Sequence, residues 1–399
     1  MIFSLQSYLK ISIFAFLYRI KMIKGKMLKL VWKAGVLVWA ALLCWNCSRP
    51  SGAPQPASDD SKTSAAPTTA TATDTLCYIV GTGDVLPGLN YPEHAPRLPY
   101  DDGSHIFDSV RDILQRADIA FCNLETVLLD TGGTPKKAPT SGWPCYWFRT
   151  PERYVNHLID AGYDFVSVAN NHQMDFGWEG RERTLQVLDS VGLACAGAPT
   201  HRSAIIERNG VKYGFCAFST NLGCVSMTDL KGVKRIITEL KPQCDVVIVS
   251  VHAGNEGVDY RHVPFEGEYG LPEPLGDVHH FAHLCVDAGA DVVFGHGPHV
   301  SRAVELYKDR LIAYSLGNFC TPYGMNLGSS CGVAPMLEVC VDRFGNFVSA
   351  QIHPVVQSWG KGPRIDPQRR VIREIKELTE EDFPDTPLQI SDDGKITKK

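Results

Sequence analysis

Residues Asp291–His299 of this 399-residue chain read DVVFGHGPH. A short run of branched and aromatic apolar residues ends in glycine and is followed by two histidines. Such a run is typical of a strand that is covered on both faces of a sheet. The helical pattern Asp277–Ala288 precedes it directly. A helix followed by a buried strand predicts an α/β fold, with polar side chains placed at the strand end.

The same alternation of short apolar strands and helical stretches recurs from Cys77 onward. The predicted strands are Cys77–Gly81, Ile119–Asn123, Phe165–Ala169, Asp245–Val251 and Asp291–Phe294. The predicted helices are Asp108–Ala117, Pro151–Ala161, Glu179–Val191 and Asp277–Ala288. Two hairpins are also predicted, Ile205–Glu207 with Val211–Phe218 around a turn that contains Asn-Gly, and Met336–Val341 with Phe347–Gln351.

Polar residues follow each of the five strands. In open α/β sheets, ligands bind at the carboxyl ends of strands, so these side chains are expected to meet in one crevice. Imidazole mixed with carboxylate and amide oxygen suits zinc, manganese or iron better than magnesium or calcium alone. The residues concerned are Asp84, Asn123, Glu125, Asn170, Asn171, His172, Asp175, His252, His296 and His299.

Each of these strand-end motifs, taken alone, also has a purely structural interpretation. Asp84 after glycine fits an ordinary turn, and Asn170-Asn171 fits a helix N-cap. His252 fits a hydrogen-bonded core histidine, and residues 295–299 fit a tight loop. The joint occurrence in this order is what favours a functional site.

In this order, six segments resemble the CapA family, the proteins of poly-γ-glutamate capsule synthesis. That family is similar to the calcineurin-like metallophosphoesterases, and the resemblance covers Cys77 to Val356. The segments are Gly83–Gly88, Asn123–Glu125, Ala169–His172, Val251–Gly254, Gly289–Val300 and Tyr314–Phe319.

The resemblance implies a four-layer αββα sandwich with a two-metal site between the sheets. Asp84 matches the first metal ligand, Glu125 the carboxylate shared by both metals and Asn171 the amide ligand. His172 matches the catalytic histidine beside the leaving group. The remaining imidazole ligands are matched by His252, His296 and His299.

Two departures from the phosphoesterase pattern stand out. Leu86 occupies the position of a histidine in the first motif, and the last pair is spaced His-x-x-His instead of His-x-His. We therefore expect one or two divalent ions, of manganese, zinc or iron. Asn123, Ser315 and Asn318 are candidates for orienting substrate, with structural packing as the alternative for the last two.

The N-terminus has the plan of an export signal. Lysines precede a short apolar run at Ala34–Cys44, and Cys47 follows as the candidate lipidation site, with Cys44 nearby. The alternative is an uncleaved anchor helix. We divide the chain into a signal or anchor (residues 1–47), a disordered tether (48–75), the CapA-like domain (76–358) and a charged extension (359–399) that is disordered past Asp385.

The formal net charge of -5 and the lack of a basic stripe beyond the N-terminal region argue against nucleic acid as a partner. The function expected is a metal-dependent hydrolase or transferase that acts on an anionic envelope polymer such as poly-γ-glutamate. It would be attached to the membrane of the cell envelope, near other capsule-synthesis proteins. Two alternatives are a non-catalytic polymer-binding or export factor with a vestigial metal site, and a secreted phosphodiesterase.

Overall fold

The computed structural model describes residues 75–138, 145–269 and 274–399. The predicted signal or anchor, Cys47 and nearly all of the tether lie outside these residues. Within them, no helix combines the length and the apolar character needed to cross a membrane.

The described chain alternates strands and helices along its length. The strands are β1 Leu76–Val85, β2 Ile119–Leu124, β3 Val127–Leu128, β4 Arg149–Thr150, β5 Phe165–Ser167, β6 Ala194–Ala196, β7 Ser203–Arg208, β8 Val211–Ser219, β9 Val246–His252, β10 Glu268–Tyr269, β11 Pro274–Gly276, β12 Val292–His296, β13 Val304–Tyr307, β14 Arg310–Ala313, β15 Asn318–Cys320, β16 Val333–Asp342, β17 Phe347–Ser358, β18 Lys361–Ile365, β19 Leu388–Ile390 and β20 Lys395–Lys398. The α-helices are α1 Arg111–Arg116, α2 Val155–Ala161, α3 Gly177–Val191, α4 Leu230–Leu240, α5 Val278–Ala288 and α6 Arg370–Asp382.

Two large sheets carry the architecture. The ten-stranded sheet runs in the order β19-β20-β17-β16-β1-β2-β5-β6, with β15 beside β1 and β18 beside β17. The six-stranded sheet runs in the order β13-β14-β12-β9-β8-β7. The strands β1, β2, β5 and β6 are parallel, and so are β8, β9, β12 and β14. Each sheet therefore collects several strand ends at one edge.

The two sheets pack face to face around an apolar core. Phe121 of the ten-stranded sheet stacks on Phe294 of the six-stranded sheet, with ring centroids 5.5 Å apart, and Phe215 lies 5.2 Å from Phe121. The outer face of the ten-stranded sheet buries residues of α1, α2 and α3. The outer face of the six-stranded sheet buries residues of α4 and α5. This is a four-layer αββα sandwich, so the predicted fold class is confirmed.

The predicted strands, helices and hairpins all appear, with ends that differ by a few residues. In the β7–β8 hairpin, Arg208 pairs with Val211, so only Asn209 and Gly210 form the loop. Both have positive φ, 54° and 75°, as a two-residue hairpin turn of type I′ requires. Local turn chemistry therefore fixes this register, as the sequence predicted.

The prediction of disorder past Asp385 is wrong. β19 and β20 pair with each other, and β20 pairs with β17, which adds both strands to the ten-stranded sheet. Leu388, Ile390 and Ile396 are buried in the core between the sheets. The many charged residues around them concealed this short alternating apolar pattern, which buries enough surface to order the segment.

Candidate metal centre

The candidate centre lies where strands of both sheets end. Asp84 is near the end of β1, and Glu125 directly follows β2. His252 and His296 are the last residues of β9 and β12, and these two residues are paired across the parallel strands. His299 lies in the loop after β12. Residues far apart in the sequence are therefore brought together by parallel strand ends.

Asp84 connects the two sheets. Its Oδ2 accepts a hydrogen bond from Nδ1 of His299 at 3.0 Å, and its Oδ1 accepts one from Nδ2 of Asn123 at 2.8 Å. Nδ1 of His296 lies 3.2 Å from the same Oδ1. Burial alone would raise the pKa of Asp84, but the contacts with His296 and His299 lower that pKa well below its ordinary value. The contacts with His296 and His299 therefore favour the ionised form of Asp84.

Glu125 is the most unusual side chain of the centre. It is fully buried, and neither carboxyl oxygen has a hydrogen-bond partner among the described residues. Its Oε1 lies 4.0 Å from Nε2 of His172, 3.8 Å from Nε2 of His252 and 3.9 Å from Nε2 of His299. Burial and the charge of Asp84 raise the pKa of Glu125 well above its ordinary value.

The three histidines around Glu125 differ in the direction in which their surroundings shift the pKa. Burial lowers the pKa of His252 to about 3 and also lowers the pKa of His172, so both favour the neutral form that ligates metals. Burial would lower the pKa of His299 as well, but Glu125 and Asp84 outweigh it and raise that pKa well above its usual value. A bound cation would replace the proton on His299.

His172 is held in one orientation by its neighbours. Its Nδ1 lies 2.6 Å from Oδ2 of Asp175, whose Oδ1 is 2.5 Å from Nζ of Lys136. The ring stacks on Phe148 with centroids 3.9 Å apart. With Nδ1 engaged by a buried carboxylate, Nε2 is left facing Glu125.

The segment before His172 is fixed by a buried amide. Asn170 donates from Nδ2 to Oδ1 of Asn123 at 3.1 Å and accepts from the backbone N–H of His172 at 3.1 Å. Asn123 is buried, and its Nδ2 also lies 3.3 Å from Nδ1 of His252. Through its Nδ2 group, Asn123 therefore orients both Asp84 and His252.

Ser315 and Asn318 support the loop that carries His299. Ser315 donates from Oγ to the carbonyl oxygen of Val300 at 2.7 Å. Asn318 donates from Nδ2 to the carbonyl oxygens of His299 and Cys331 at 3.4 and 3.2 Å. Both side chains are buried against main chain. This geometry favours the packing alternative, and substrate contact by Asn123, Ser315 or Asn318 stays a prediction.

The donor set fits a divalent cation. Ligand atoms of Asp84, Glu125 and His299 lie within 4.8 Å of one another. The oxygens of Glu125, Oδ1 of Asn171 and Nε2 of His296 are buried and lack a hydrogen-bond partner among the described residues. Unpaired buried acceptors are costly, and a bound cation would satisfy them. Imidazole with carboxylate and amide oxygen suits zinc, manganese or iron.

The centre opens into a cavity of about 560 Å³. Asn171, His172 and His299 line it, and Lys136 and Glu256 add one charge of each sign. Oε1 of Glu256 lies 3.8 Å from Nε2 of His299, although its side chain is 58% exposed. Lys136 lies in the loop after β3, and Glu256 lies in the loop after β9, two residues beyond the Val251–Gly254 segment; neither was identified from the sequence.

Leu86 does not contribute to the centre. It is buried in a small apolar cluster with Leu89 and Phe148, and Tyr323 and Met325 pack against it. The position at which the phosphoesterase pattern places a histidine is therefore part of the wall beneath Phe148 and supplies no ligand.

The αββα sandwich and the strand-end carboxylate, amide and imidazole groups define an α/β protein with a candidate metal centre at its strand ends. Within that class, the chain belongs to the family of the bacterial capsule synthesis protein PGA_cap, whose family model matches residues 78–323. The resemblance to CapA proteins that the sequence predicted is thereby confirmed.

Proteins similar to the chain include two curated relatives and one solved structure. It is 28% identical over 262 residues to the capsule biosynthesis protein CapA of Bacillus anthracis, covering 61% of this chain and 59% of the relative. It is 29% identical over 258 residues to the PGA biosynthesis protein CapA of Bacillus subtilis (strain 168), covering 61% and 62%. The chain thus spans about three fifths of these relatives. The crystal structure of the calcineurin-like phosphoesterase YfkN from Bacillus subtilis covers 73% of this chain and 88% of its own, with 12% identity and a TM-score of 0.38.

Proposed function

We propose that this protein is a metal-dependent hydrolase or transferase that acts on an anionic envelope polymer such as poly-γ-glutamate, in capsule synthesis or processing. Membership of a capsule synthesis family supports the biological setting. The names of the relatives from Bacillus anthracis and Bacillus subtilis refer to capsule and PGA biosynthesis. The chemistry is argued from the candidate centre.

One observation carries the proposal, the buried carboxylate of Glu125. Both of its oxygens lack a hydrogen bond among the described residues, and three imidazoles face it at 3.8–4.0 Å. A folded protein rarely keeps a fully buried acidic group without a partner. Such an arrangement has a physical reason when a cation completes the site.

When bound, one or two divalent ions here would polarise a phosphoryl or acyl oxygen and lower the pKa of a water molecule. Asp84 and Glu125 would hold them together with Asn171, His252, His296 and His299. His172 would act as the general acid and would not hold an ion. Because Asp175 engages Nδ1, Nε2 is the ring nitrogen that faces the centre, and the imidazolium form of His172 would give its Nε2 proton to the departing oxygen of the substrate, leaving the neutral ring.

The cavity suits a flexible anionic chain. Lys136 places a half-buried ammonium group at its wall, next to the carbonyl oxygen of Asn171 at 3.5 Å. The aromatic rings of Tyr146 and Phe148 line the same cavity. Because Lys136 is already paired with Asp175 at 2.5 Å, the attraction for carboxylate or phosphate groups of a polymer would come mainly from the bound cations.

Attachment to the membrane of the cell envelope through Cys47, or through an anchor helix in its place, is part of the same proposal. So is contact with other capsule-synthesis proteins. The basis for attachment is the arrangement of lysines, apolar run and cysteine in the sequence before residue 48.

The experiment compares one ligand with the proposed acid. His299→Ala should lower both metal content and hydrolysis, because it removes a ligand. His172→Ala should keep metal content near wild type but slow turnover on the order of 100-fold, as loss of a general acid does. The matched control is His94→Ala, an exposed histidine. Metal is counted by elemental analysis, and hydrolysis is followed on γ-linked glutamate polymer and on aryl phosphate esters.

A second candidate function is supported by Leu86. Because an apolar cluster occupies the position of the missing histidine, the centre has fewer ligands than the phosphoesterase pattern. A non-catalytic polymer-binding or export factor would not need the full set of metal ligands. Wild-type protein that binds the polymer but shows no turnover on any of these substrates would favour this candidate over the enzyme.

A further inference from the structure

A second cluster of ligating side chains lies on the outer face of the six-stranded sheet. His279 and His283 are four residues apart on α5 and therefore project from the same face of the helix. Glu305 lies on β13, the edge strand of that sheet. None of these residues belongs to the candidate metal centre described above.

The three side chains converge on one point. Nε2 of His283 lies 3.0 Å from both carboxyl oxygens of Glu305, and the imidazole rings of His279 and His283 are 4.2 Å apart. One ligand atom from each of the three residues falls within 4.8 Å of the others. All three are only half-buried, so the cluster is open to solvent on one side.

Neighbouring groups fix the orientation of the ligands. Tyr314 donates from its hydroxyl to Oε2 of Glu305 at 2.5 Å, and Tyr307 stacks on His283 with centroids 3.7 Å apart. The ring of His279 lies 4.9 Å from Phe265. Outer hydrogen bonds and packing of this kind hold metal ligands in place.

An ordinary ion pair explains only part of the cluster. Contact between His283 and Glu305 accounts for two of the residues, but no hydrogen bond to either ring nitrogen of His279 is found among the described residues. His279 is the third corner of the group, with its ring 4.2 Å from that of His283. A neutral imidazole with an unused nitrogen beside a histidine–carboxylate pair has the chemistry of a ligand.

We infer that His279, His283 and Glu305 form a second divalent metal site that joins helix α5 to the edge strand β13. Two histidines spaced i, i+4 on a helix with one glutamate are a ligand set that zinc takes, leaving the fourth position to water. Zn²⁺ is the ion that this ligand set fits best, and the open side of the cluster leaves room for that water.

The test uses the full chain, stripped with a chelator and reloaded with Zn²⁺ alone or Co²⁺ alone. His279→Phe removes both ring nitrogens but keeps an aromatic ring in the same packing. Its matched control is His280→Ala, the exposed neighbour on the same helix. Zinc per chain is counted by elemental analysis, and the visible absorption of bound Co²⁺ reports the ligand geometry.

We expect His279→Phe to weaken binding of one zinc ion by at least about 10–100-fold, while His280→Ala matches the wild type. A chain with His299→Ala, altered at the other centre, should still bind zinc here, and adding His279→Phe to it should remove that ion. This pair separates failure of the second site from failure of the proposed function.

Zinc content and cobalt absorption that are unchanged in His279→Phe would overturn the inference. Glu305→Gln provides an independent check that leaves His279 in place, and it should show the same loss. Circular dichroism of each variant identifies any that do not fold. Wild-type zinc content in either folded variant would refute the site.

Discussion

Replacing Glu125 with methionine tests whether the centre is built for a cation. Methionine has a similar length and keeps the apolar contacts, but it removes two buried acceptors that have no hydrogen bond among the described residues. An unsatisfied buried polar group costs about 1–3 kcal/mol. We therefore expect metal-free Glu125→Met to have a free energy of unfolding higher than wild type by about 1–3 kcal/mol, although it should bind metal far more weakly.

The matched control is Glu268, a buried glutamate with a partner. Its two oxygens accept hydrogen bonds from Nη1 and Nη2 of Arg302, each at 3.0 Å. Glu268→Met leaves the buried guanidinium uncompensated and should lower the free energy of unfolding by about 3–5 kcal/mol. Urea unfolding in the presence of a chelator measures both variants. If metal-free Glu125→Met is less stable than wild type, the carboxylate is satisfied without a cation and the reasoning is wrong.

Two further predictions concern pH and the membrane. The pKa of Glu125 is raised by burial and by Asp84, so its proton must leave before a cation binds. Metal affinity should therefore fall as the pH drops through the raised pKa, and titration calorimetry in buffers of different ionisation enthalpy should detect proton release. The stability of the metal-free protein should change with pH in the opposite direction. Because the pKa of Glu125 is raised in the folded state, the free energy of unfolding should fall as the pH rises above about 4.5 towards that pKa. Urea unfolding at several pH values measures this change. Cys47→Ser should release the protein from the membrane fraction. Full retention of this variant and of Cys44→Ser, without acyl label, would indicate an anchor helix instead.

The fold was predictable because its information is local. Buried parallel strands appear as short apolar runs, and an Asn-Gly turn fixed the β7–β8 register. Strand ends of one sheet must meet at one edge, so the approach of Asp84 and Glu125 followed from the pattern. The spacing of residues 296–299 did not reveal that both histidines reach the same carboxylate, which depends on a loop in which His299 has a φ of 58°.

Contacts between loops could not be predicted from the pattern. Asp175 was recognised as a polar residue after a strand, but its pairing with His172 and Lys136 depends on how separate loops fold over the strand ends. Glu256 has no periodic signal at all. The role of Ser315 was also open, because the sequence does not show whether a hydroxyl faces a cavity or a carbonyl oxygen. Each of these depends on tertiary packing.

The candidate centre joins Asp84 on one sheet to His299 beside the other, 215 residues later in the chain. Such a site does not exist on a nascent or partly folded chain, because neither sheet alone holds a complete set of ligands. On the proposed function, metal capture would therefore be the last event of maturation. It would take place after the two sheets have docked, and the ions available in the compartment where they dock would determine which one the centre receives. If the chain is exported as proposed, that selection would be made on the far side of the membrane, outside the metal homeostasis of the cytosol.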